Sequence, residues 1–530
     1  MTVLMLILIP IVYYFYYTKG LHILQLEGYK SNNYANWLIQ HIKDFINIIL
    51  ASTVMLYTIS LLHNLGTPHI AIQIITILAM GIIYYAHITS NNKTKYKKPL
   101  VFTWRIKRLI ITGYILLFIC IFILEFLKFS LGFTYSINVL LILLWIIAFI
   151  NIFISNFILI PIEKMINLKF INLAKGIINK RDDLIVIGIT GSFGKTSTKF
   201  ILQTILSEKY KTYATPDSYN TTMGNVRAIR EQLSNTDQIY ISEMGAKHIG
   251  DIKEICDIVK PTYGIITSIG NQHLETFKSI ENITKTKYEL IASLPENGFA
   301  FFPDDNGICK ELYNKETRNK ILFNSENSDI YAKNIISTSK GSNFTIVSKM
   351  DNTEFNCNTK LLGIHNVQNI IGCVAIAKKL GLTNNEIAHG IEKIKPVPHR
   401  LELIPNTNGI TIIDDAFNSN PKGAKAALDV ISSFSGNKII ITPGMIELGD
   451  EQYSANYELG KQIAEVCNYA ILIGKNFTKP LQDGIKDTKF DLKNMYVVNS
   501  LDEATSLISQ IGKHGDVILF ENDLPDNFNE

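Results

Sequence analysis

Cysteine is scarce in this chain: 530 residues hold six, Cys120, Cys256, Cys309, Cys357, Cys373 and Cys467, with no CxxC pair and no metal-ligand spacing. That excludes a disulfide framework and a thiolate zinc site, and it suits a reducing cytosol. An excess of one charge is missing too. The formal net charge is only +4 and its clearest basic cluster lies between two apolar runs, so nothing points to nucleic acid as a partner. The sequence shows no internal repeat and no low-complexity linker. Charge is nearly absent from the apolar runs of the first 160 residues, where only Glu125 and Lys128 stand out, spaced to share one helix face. Both fall near the end of a run, where a lysine can snorkel, so an interfacial structural pair is favoured over a functional intramembrane charge.

Five apolar runs fill that first part, at residues 3–17, 46–62, 70–88, 109–127 and 139–160. A membrane-crossing helix needs about 20 apolar residues. The first run is short and resembles a signal peptide, but it lacks a basic n-region and a small-residue cleavage site, and further runs follow. The expectation is an all-α membrane region over residues 1–163 with about five spans. Lys93, Lys95, Lys97, Lys98, Arg105, Lys107 and Arg108 fill the connection between the third and fourth runs, whereas residues 63–69 and 132–138 contain neither Lys nor Arg. The positive-inside bias then places the basic connection, and everything after Pro161, on the cytoplasmic side. The chain reads as a multi-pass protein of the cytoplasmic membrane whose spans form an anchor or docking platform more than a transport path.

Residues 184–198, LIVIGITGSFGKTST, are the most informative stretch. An apolar run with the composition of a buried parallel strand ends in a loop containing Gly191 and Gly194. Helical apolar spacing follows from Ser197, so backbone N–H groups and a helix N-terminus converge on one point, as an anion site requires. Lys195 would bring positive charge to the β- and γ-phosphates of a nucleotide and the Thr196 hydroxyl would ligate Mg²⁺. The spacing T-G-x-x-G-K-[ST] is shorter than the general phosphate-loop pattern, because Ile189 stands where that pattern has its first glycine. An ordinary strand-to-helix turn with an exposed lysine is the plainer alternative.

Roughly 370 residues follow the membrane part, enough for two ordinary domains. Apolar runs at 239–242, 263–269, 410–413, 438–441 and 469–473 alternate with helical stretches, the signature of α/β layering with largely parallel strands. The segment KPVP at 395–398 interrupts any helix or central strand and divides a central domain, 182–396, from a C-terminal one, 397–530. Glu243 stands at the carboxyl end of one strand, the usual ligand edge of an open α/β sheet, where a carboxylate can hold Mg²⁺. His273 follows another strand; a lone histidine is more often structural, but the phosphate loop and an acidic partner favour a ligand here. Lys287, in TKTKYEL, reads by itself as a solvated helix lysine.

Nine motifs occur in a definite order: TGSFGKTS, SYNTTMGN at 218–225, EMGA at 243–246, IGNQHLETF at 269–277, TKYEL at 286–290, GIHNVQN at 363–369, HRLE at 399–402, DDAFNSNP at 414–421 and GMIELG at 444–449. In this order the chain resembles the Mur ligases, most closely the D-alanyl-D-alanine-adding MurF branch, strongly over about 184–475 and weakly over the last fifty residues. The resemblance implies a phosphate-loop ATPase domain, a C-terminal Rossmann-like α/β domain, and an ATP-dependent acid–amino-acid ligase. In that chemistry a substrate carboxylate attacks the γ-phosphate, giving an acyl phosphate and ADP, and an amine then displaces phosphate.

Carried over residue by residue, the resemblance assigns Gly191, Ser192, Gly194, Lys195, Thr196 and Ser197 to the phosphates of ATP. Thr196, Glu243 and His273 go to two Mg²⁺ sites, and Lys287 is expected to be carbamylated, which turns a cation into an anion able to approach metal. Arg400 reaches the phosphates, Asn366 and Asn369 lie near adenine, Asp414 near ribose, and Asn220 and Thr221 meet the carboxylate substrate. Closure of the C-terminal domain excludes water from the acyl phosphate. The implied partners are an envelope precursor bearing a carboxylate, a lipid-linked one included, and an amino acid or dipeptide.

The departures lie at the substrate-recognising ends. Membrane spans hold the place of the small domain that grips a uridine nucleotide. His399 stands for a glycine, Phe417 for a tyrosine and Asn456 for a histidine, and ILFENDLPDNF, with Glu521 and Asp523, stands for a basic segment. The acidic segment could favour an amine or a cationic amino acid, although exposed acidic tails are usually only solvated. Three readings follow: a membrane-anchored ligase of cell-wall precursor synthesis, a ligase of the poly-γ-glutamate capsule type, and a non-catalytic nucleotide-binding membrane protein. EMGA and DDAFNSNP favour the first over the second, and intact Lys195, Glu243, His273 and Lys287 count against the third.

Overall fold

The computed structural model describes every residue except 1, 43–49, 52, 56, 59–60, 63–64, 66–70, 72–73, 76–77, 80–97, 132–135, 272–273, 405–408, 418, 447 and 524–530. His273, Lys93, Lys95, Lys97, much of the runs at 46–62 and 70–88, and the side chains of Glu125 and Lys128 therefore lie outside the described residues. The chain divides into two compact units, Met1–Leu168 and Lys169–Glu530.

The first unit contains the helices Thr2–Leu26, Ser31–Gln40 and Trp104–Leu131, and the start of Ser136–Ile178. Among the described residues two stretches are long and apolar enough to cross a membrane, Trp104–Leu124 and Leu143–Ile178. The expectation of about five spans reaches further than these two helices do. Inside the unit the apolar surfaces are tied by more polar contacts than the sequence suggests. Asn151 donates to the Tyr13 hydroxyl at 2.6 Å and to the Gly113 carbonyl at 2.9 Å, and Tyr17 donates to the Leu109 carbonyl at 2.8 Å. Gly113 permits the last approach, since a Cβ there would fall 2.4 Å from the Tyr17 ring. Arg108 grips Glu163 through two hydrogen bonds of 2.7 and 2.9 Å.

The second unit holds two sheets. The strands of the first are β1 (Ile185–Thr190), β2 (Thr212–Ala214), β3 (Ile239–Glu243), β4 (Tyr263–Ile266), β5 (Phe299–Pro303), β6 (Asn319–Phe323), β7 (Ile330–Thr338), β8 (Gly341–Ser348) and β9 (Thr353–Thr359). Their order is β2-β3-β1-β4-β5-β6-β7-β8-β9, parallel as far as β7 and antiparallel from β7 to β9. The antiparallel ladder departs from the largely parallel sheet expected. Apolar side chains alternate between two cores: Ile187, Ile189, Ile239, Ile241 and Phe301 enter one, whereas Val186, Tyr240, Ala300 and Phe302 enter the other. Burial on both faces explains why these strands read as unbroken apolar runs.

The second sheet runs β10 (Glu402–Ile404), β11 (Thr411–Asp415), β12 (Lys438–Thr442), β13 (Tyr469–Ile473), β14 (Met495–Val498) and β15 (Val517–Glu521), in the order β10-β11-β15-β12-β13-β14. Only β10 pairs antiparallel, and β15, last in sequence, is inserted between β11 and β12. That insertion sets Glu521 beside Asp415. Glu521 is thus the last residue of a central strand, 1% exposed. The expectation of a solvated acidic tail is corrected for it, because the apolar run VILF carries the chain into the sheet and takes Glu521 with it.

Candidate functional site

The glycine loop forms where β1 stops. Gly191 has φ +150°, and a Cβ there would lie 2.1 Å from Thr267 Oγ1 and 3.0 Å from the Ser268 nitrogen. Gly194, at φ +81°, precedes the helix Lys195–Leu206, in whose first turn Thr196 and Ser197 lie. The loop is pinned to the segment after β4: Ser192 N donates to the Ser268 carbonyl at 2.8 Å and Ser192 Oγ to the Gly270 carbonyl at 2.9 Å. Gly191→Ala therefore has a backbone atom in its way as well as a strained φ. The expected result is loss of nucleotide binding in titration calorimetry, with destabilisation of about 1–3 kcal/mol in thermal melts.

Lys195 Nζ donates to the carbonyls of Gly191 and Ser192, at 2.7 and 3.1 Å. Burial lowers its pKa to about 8, with Glu243 opposing the shift and Arg400 adding to it. One turn further, Lys199 is wholly buried, with its ammonium 3.1 Å from Glu243 Oε2 and donating to the Asp217 carbonyl. Desolvation lowers its pKa too, against the pull of Glu243. Glu243, at the end of β3 and 1% exposed, also accepts from Thr196 Oγ1 and Asn220 Nδ2, each at 3.1 Å. Loop, helix and strand end thus meet on one carboxylate.

The adjoining cleft, about 410 Å³, is lined by Lys195, Asn220, Thr221, Gly245, Asp251 and Lys287 among others. Thr221 also caps the helix Thr222–Glu231 by accepting from Gly224 N at 3.2 Å. Lys287 is 3% exposed and its pKa is well below the ordinary lysine value, chiefly through burial and then through Lys195, with Asp251 and Glu289 opposing. The solvated-lysine alternative is thereby excluded.

A second cavity, about 350 Å³, has Gly194, Asn369, His365, Asp304, Asn324 and Lys422 in its wall. Asn369 sits close against Gly194, 2.8 Å from where a Cβ would be. Asn366 does not join it; its amide donates to the carbonyl of Leu362, just ahead of its helix, at 2.9 Å. Asp414 is engaged by His399 Nδ1 at 2.7 Å and accepts from Ala416 N at 3.0 Å. His399 has φ +59°, a left-handed backbone for which glycine is the easier residue. Arg400 stacks 4.3 Å over the half-exposed ring of Phe417 and lies within electrostatic reach of Asp415 and Glu243. Asn456 is buried and clamps Met445, accepting from its N–H at 2.8 Å and donating to its carbonyl at 2.9 Å.

Two residues escaped the sequence reading. Lys199 could have been found as a lysine on the buried face of the helix, beside Thr198, Ile201 and Leu202. His365 lies inside GIHNVQN, and burial lowers its pKa to about 4, so it lines the second cavity as a neutral imidazole. Among the described residues no three His, Cys, Asp or Glu side chains converge. Mg²⁺ takes one or two protein oxygens together with phosphate and water. The Glu243 carboxylate, which meets a hydroxyl through one oxygen and an ammonium through the other, fits that demand, with Thr196 beside it.

The family description "Mur ligase middle domain" matches residues 189–377, and "Mur ligase, glutamate ligase domain" matches 399–521. The UDP-N-acetylmuramoyl-tripeptide–D-alanyl-D-alanine ligase of Bacillus subtilis is 29% identical over 339 residues, 63% of this chain and 72% of that protein. Among solved structures, MurF from Acinetobacter baumannii superimposes with a TM-score of 0.62 at 27% identity, covering 67% of this chain and 77% of that one. MurF ligase from Thermotoga maritima in complex with ADP gives 0.61 at 25% identity, covering 67% and 80%. With the two family matches together spanning more than half of its length, the chain belongs to the Mur ligase family of ATP-dependent acid–amino-acid ligases.

Proposed function

We propose that this chain is a membrane-associated ligase of the MurF type that activates the carboxylate of a muramoyl-peptide precursor as an acyl phosphate and joins it to the amine of an amino acid or dipeptide. The observation that carries the reading is the Glu243 carboxylate, which meets Thr196, Asn220 and Lys199 and lies within electrostatic reach of Lys195, next to a cleft lined by Lys195, Asn220 and Lys287. Phosphoryl transfer is mostly positioning and charge neutralisation, and this is an arrangement for both. Lys195, with Gly191, Ser192, Gly194 and Ser197, holds the nucleotide phosphates. Thr196, Glu243 and His273 would hold Mg²⁺, which would supply neutralisation of the phosphate charge.

Asn369 faces the nucleoside, Arg400 closes on the phosphates, and Asn220 and Thr221 meet the carboxylate substrate; Asn366 acts by tying its helix to the segment ahead of it. Residues 182–396 and 397–530 act as the two closing domains. The relatives' names supply the substrate class, a nucleotide-linked muramoyl tripeptide and D-alanyl-D-alanine. The two long apolar helices support a precursor held at a membrane surface, lipid-linked precursors included, because shared anchoring raises effective concentration.

The test is to incubate the full chain with ATP, Mg²⁺ and D-alanyl-D-alanine, offering either UDP-N-acetylmuramoyl-tripeptide or its lipid-linked counterpart, and to read product mass and kcat/KM. An amide product with one ADP per bond is expected, with the lipid-linked acceptor the better. Absence of amide and of ADP with every acceptor overturns the ligase reading. A kcat/KM of about 10⁴ M⁻¹s⁻¹ or more for the soluble pair, above that for the lipid-linked one, overturns the membrane half alone.

A further inference from the structure

Lys199 is wholly buried and lines neither cavity, but both of its partners lead to residues that do. It lies one turn beyond Lys195 on the helix Lys195–Leu206. Its ammonium stands 3.1 Å from Glu243 Oε2 and donates to the Asp217 carbonyl. That Glu243 oxygen accepts no hydrogen bond among the described residues, so the ammonium is what offsets it. The Glu243 backbone is fixed separately, its N–H donating to Thr215 Oγ1 at 3.2 Å and its carbonyl accepting from Asn225 Nδ2 at 3.1 Å. What Lys199 adds is the direction of the side chain. With Oε2 drawn to Lys199, Oε1 is the oxygen shared by Thr196 and Asn220. The Asp217 carbonyl belongs to the segment 215–221, whose Asn220 and Thr221 line the cleft. Tyr219 N donates to the Pro216 carbonyl at 3.0 Å, closing a turn in which Asp217 has φ +42°, a conformation uncommon outside glycine. Gly245 N holds the exit of this turn by donating to the Asn220 carbonyl at 2.7 Å, and Lys199 holds its middle.

We infer that Lys199 is a positioning residue that couples the nucleotide half of the site to the acceptor half. The inference rests on the reading above, in which Lys195 and Thr196 serve the phosphates and Asn220 and Thr221 the carboxylate substrate. Attack of a carboxylate on the γ-phosphate needs the two in line, and a misplacement of about 1 Å costs about a hundredfold in rate. Lys195 and Thr196 are placed by the first turn of one helix, whereas Asn220 and Thr221 are placed by the segment 215–221. One ammonium joins these two elements and the Glu243 side chain between them. A solvated lysine would let each move alone. A wholly buried one does not, because separation from either partner leaves a buried charge or a buried carbonyl uncompensated, and both are strongly unfavourable. Ordering of the helix N-terminus by a bound nucleotide is thereby passed to the backbone that aims Asn220.

The experiment is hydrogen–deuterium exchange on the full chain, with and without Mg²⁺–ADP and with no acceptor present. In the unmodified chain the nucleotide is expected to slow exchange at 191–196 and also at 215–221, the latter by about fivefold or more, the lower end of an ordinary coupling between sites. Lys199→Met keeps the apolar stem and removes the ammonium. It is expected to bind ADP in calorimetry within about threefold of the unmodified affinity and to form amide about a hundredfold more slowly, the cost of misplacement. Its protection at 191–196 is retained, while 215–221 no longer responds. If Lys199→Met does not melt cooperatively, Lys199→Gln, polar but too short to hold both partners, is measured with the same expectation. Protection at 191–196 without any at 215–221 in the unmodified chain overturns the inference, as does a variant in which 215–221 still responds. ADP affinity and protection at both segments lost together in the variant make Lys199 a support of the core and overturn it too. No protection at 191–196 in the unmodified chain overturns the nucleotide reading, and this inference with it.

Discussion

Lys195→Ala is expected to lower substrate-dependent ATP consumption by about a thousandfold or more, the upper end of what one preorganised charge or donor contributes in a water-poor site. The ammonium rests on the carbonyls of Gly191 and Ser192, so the loop aims it without help from a ligand. Lys199 cannot substitute, because it is committed to Glu243 and Asp217. The same residue fixes a pH dependence. In the nucleotide-free protein Lys195 carries its charge below pH about 8 and loses it above. Bound phosphates favour the charged form, so nucleotide binding above that pH takes up a proton and weakens as pH rises. Calorimetry in buffers of different ionisation enthalpy measures the uptake. An affinity for ATP that stays flat from pH 7 to pH 9.5, or a Lys195→Ala variant that still consumes ATP, would contradict this role.

Removing Lys287 should cost about a hundredfold or more in amide formation, and the loss should respond to small anions. A buried lysine whose pKa is well below normal holds a neutral amine in a useful fraction of molecules, and only the neutral amine reacts with carbon dioxide. Carbamylation, the role implied by the resemblance, would convert this buried amine, crowded by Lys195, into an anion beside cations. Lys287→Ala is expected to regain part of its activity with bicarbonate or short carboxylates that enter the cleft, and Lys287→Arg is not. Depleting dissolved carbon dioxide should slow the unmodified enzyme. A fully active Lys287→Ala would show that the residue serves the core alone.

The sequence by itself determined the glycine loop after β1 and the helix that starts at Lys195. A strand of apolar residues running into Gly191, Gly194, Lys195 and Thr196 has one compact local solution, because backbone periodicity, glycine torsions and the helix N-terminus are short-range properties. Glu243 was legible for a related reason: a strand's last residue lies at the ligand edge of a parallel sheet whatever the sheet's order. Tertiary structure alone decided what depends on which segments become neighbours. Sheet order, with β15 between β11 and β12, turns Glu521 from a supposed tail residue into the partner of Asp415. Helix packing buries Lys199 against Glu243 and faces Lys287 toward Lys195, although Lys287 reads locally as an ordinary helix lysine. Asn366 and Asn369 share one motif, yet the turn of their helix sends the first to the Leu362 carbonyl and the second to Gly194. Local pattern fixes which chemistry a segment can offer; burial and register, set by residues far away in the chain, fix the charge and the partner with which it is used.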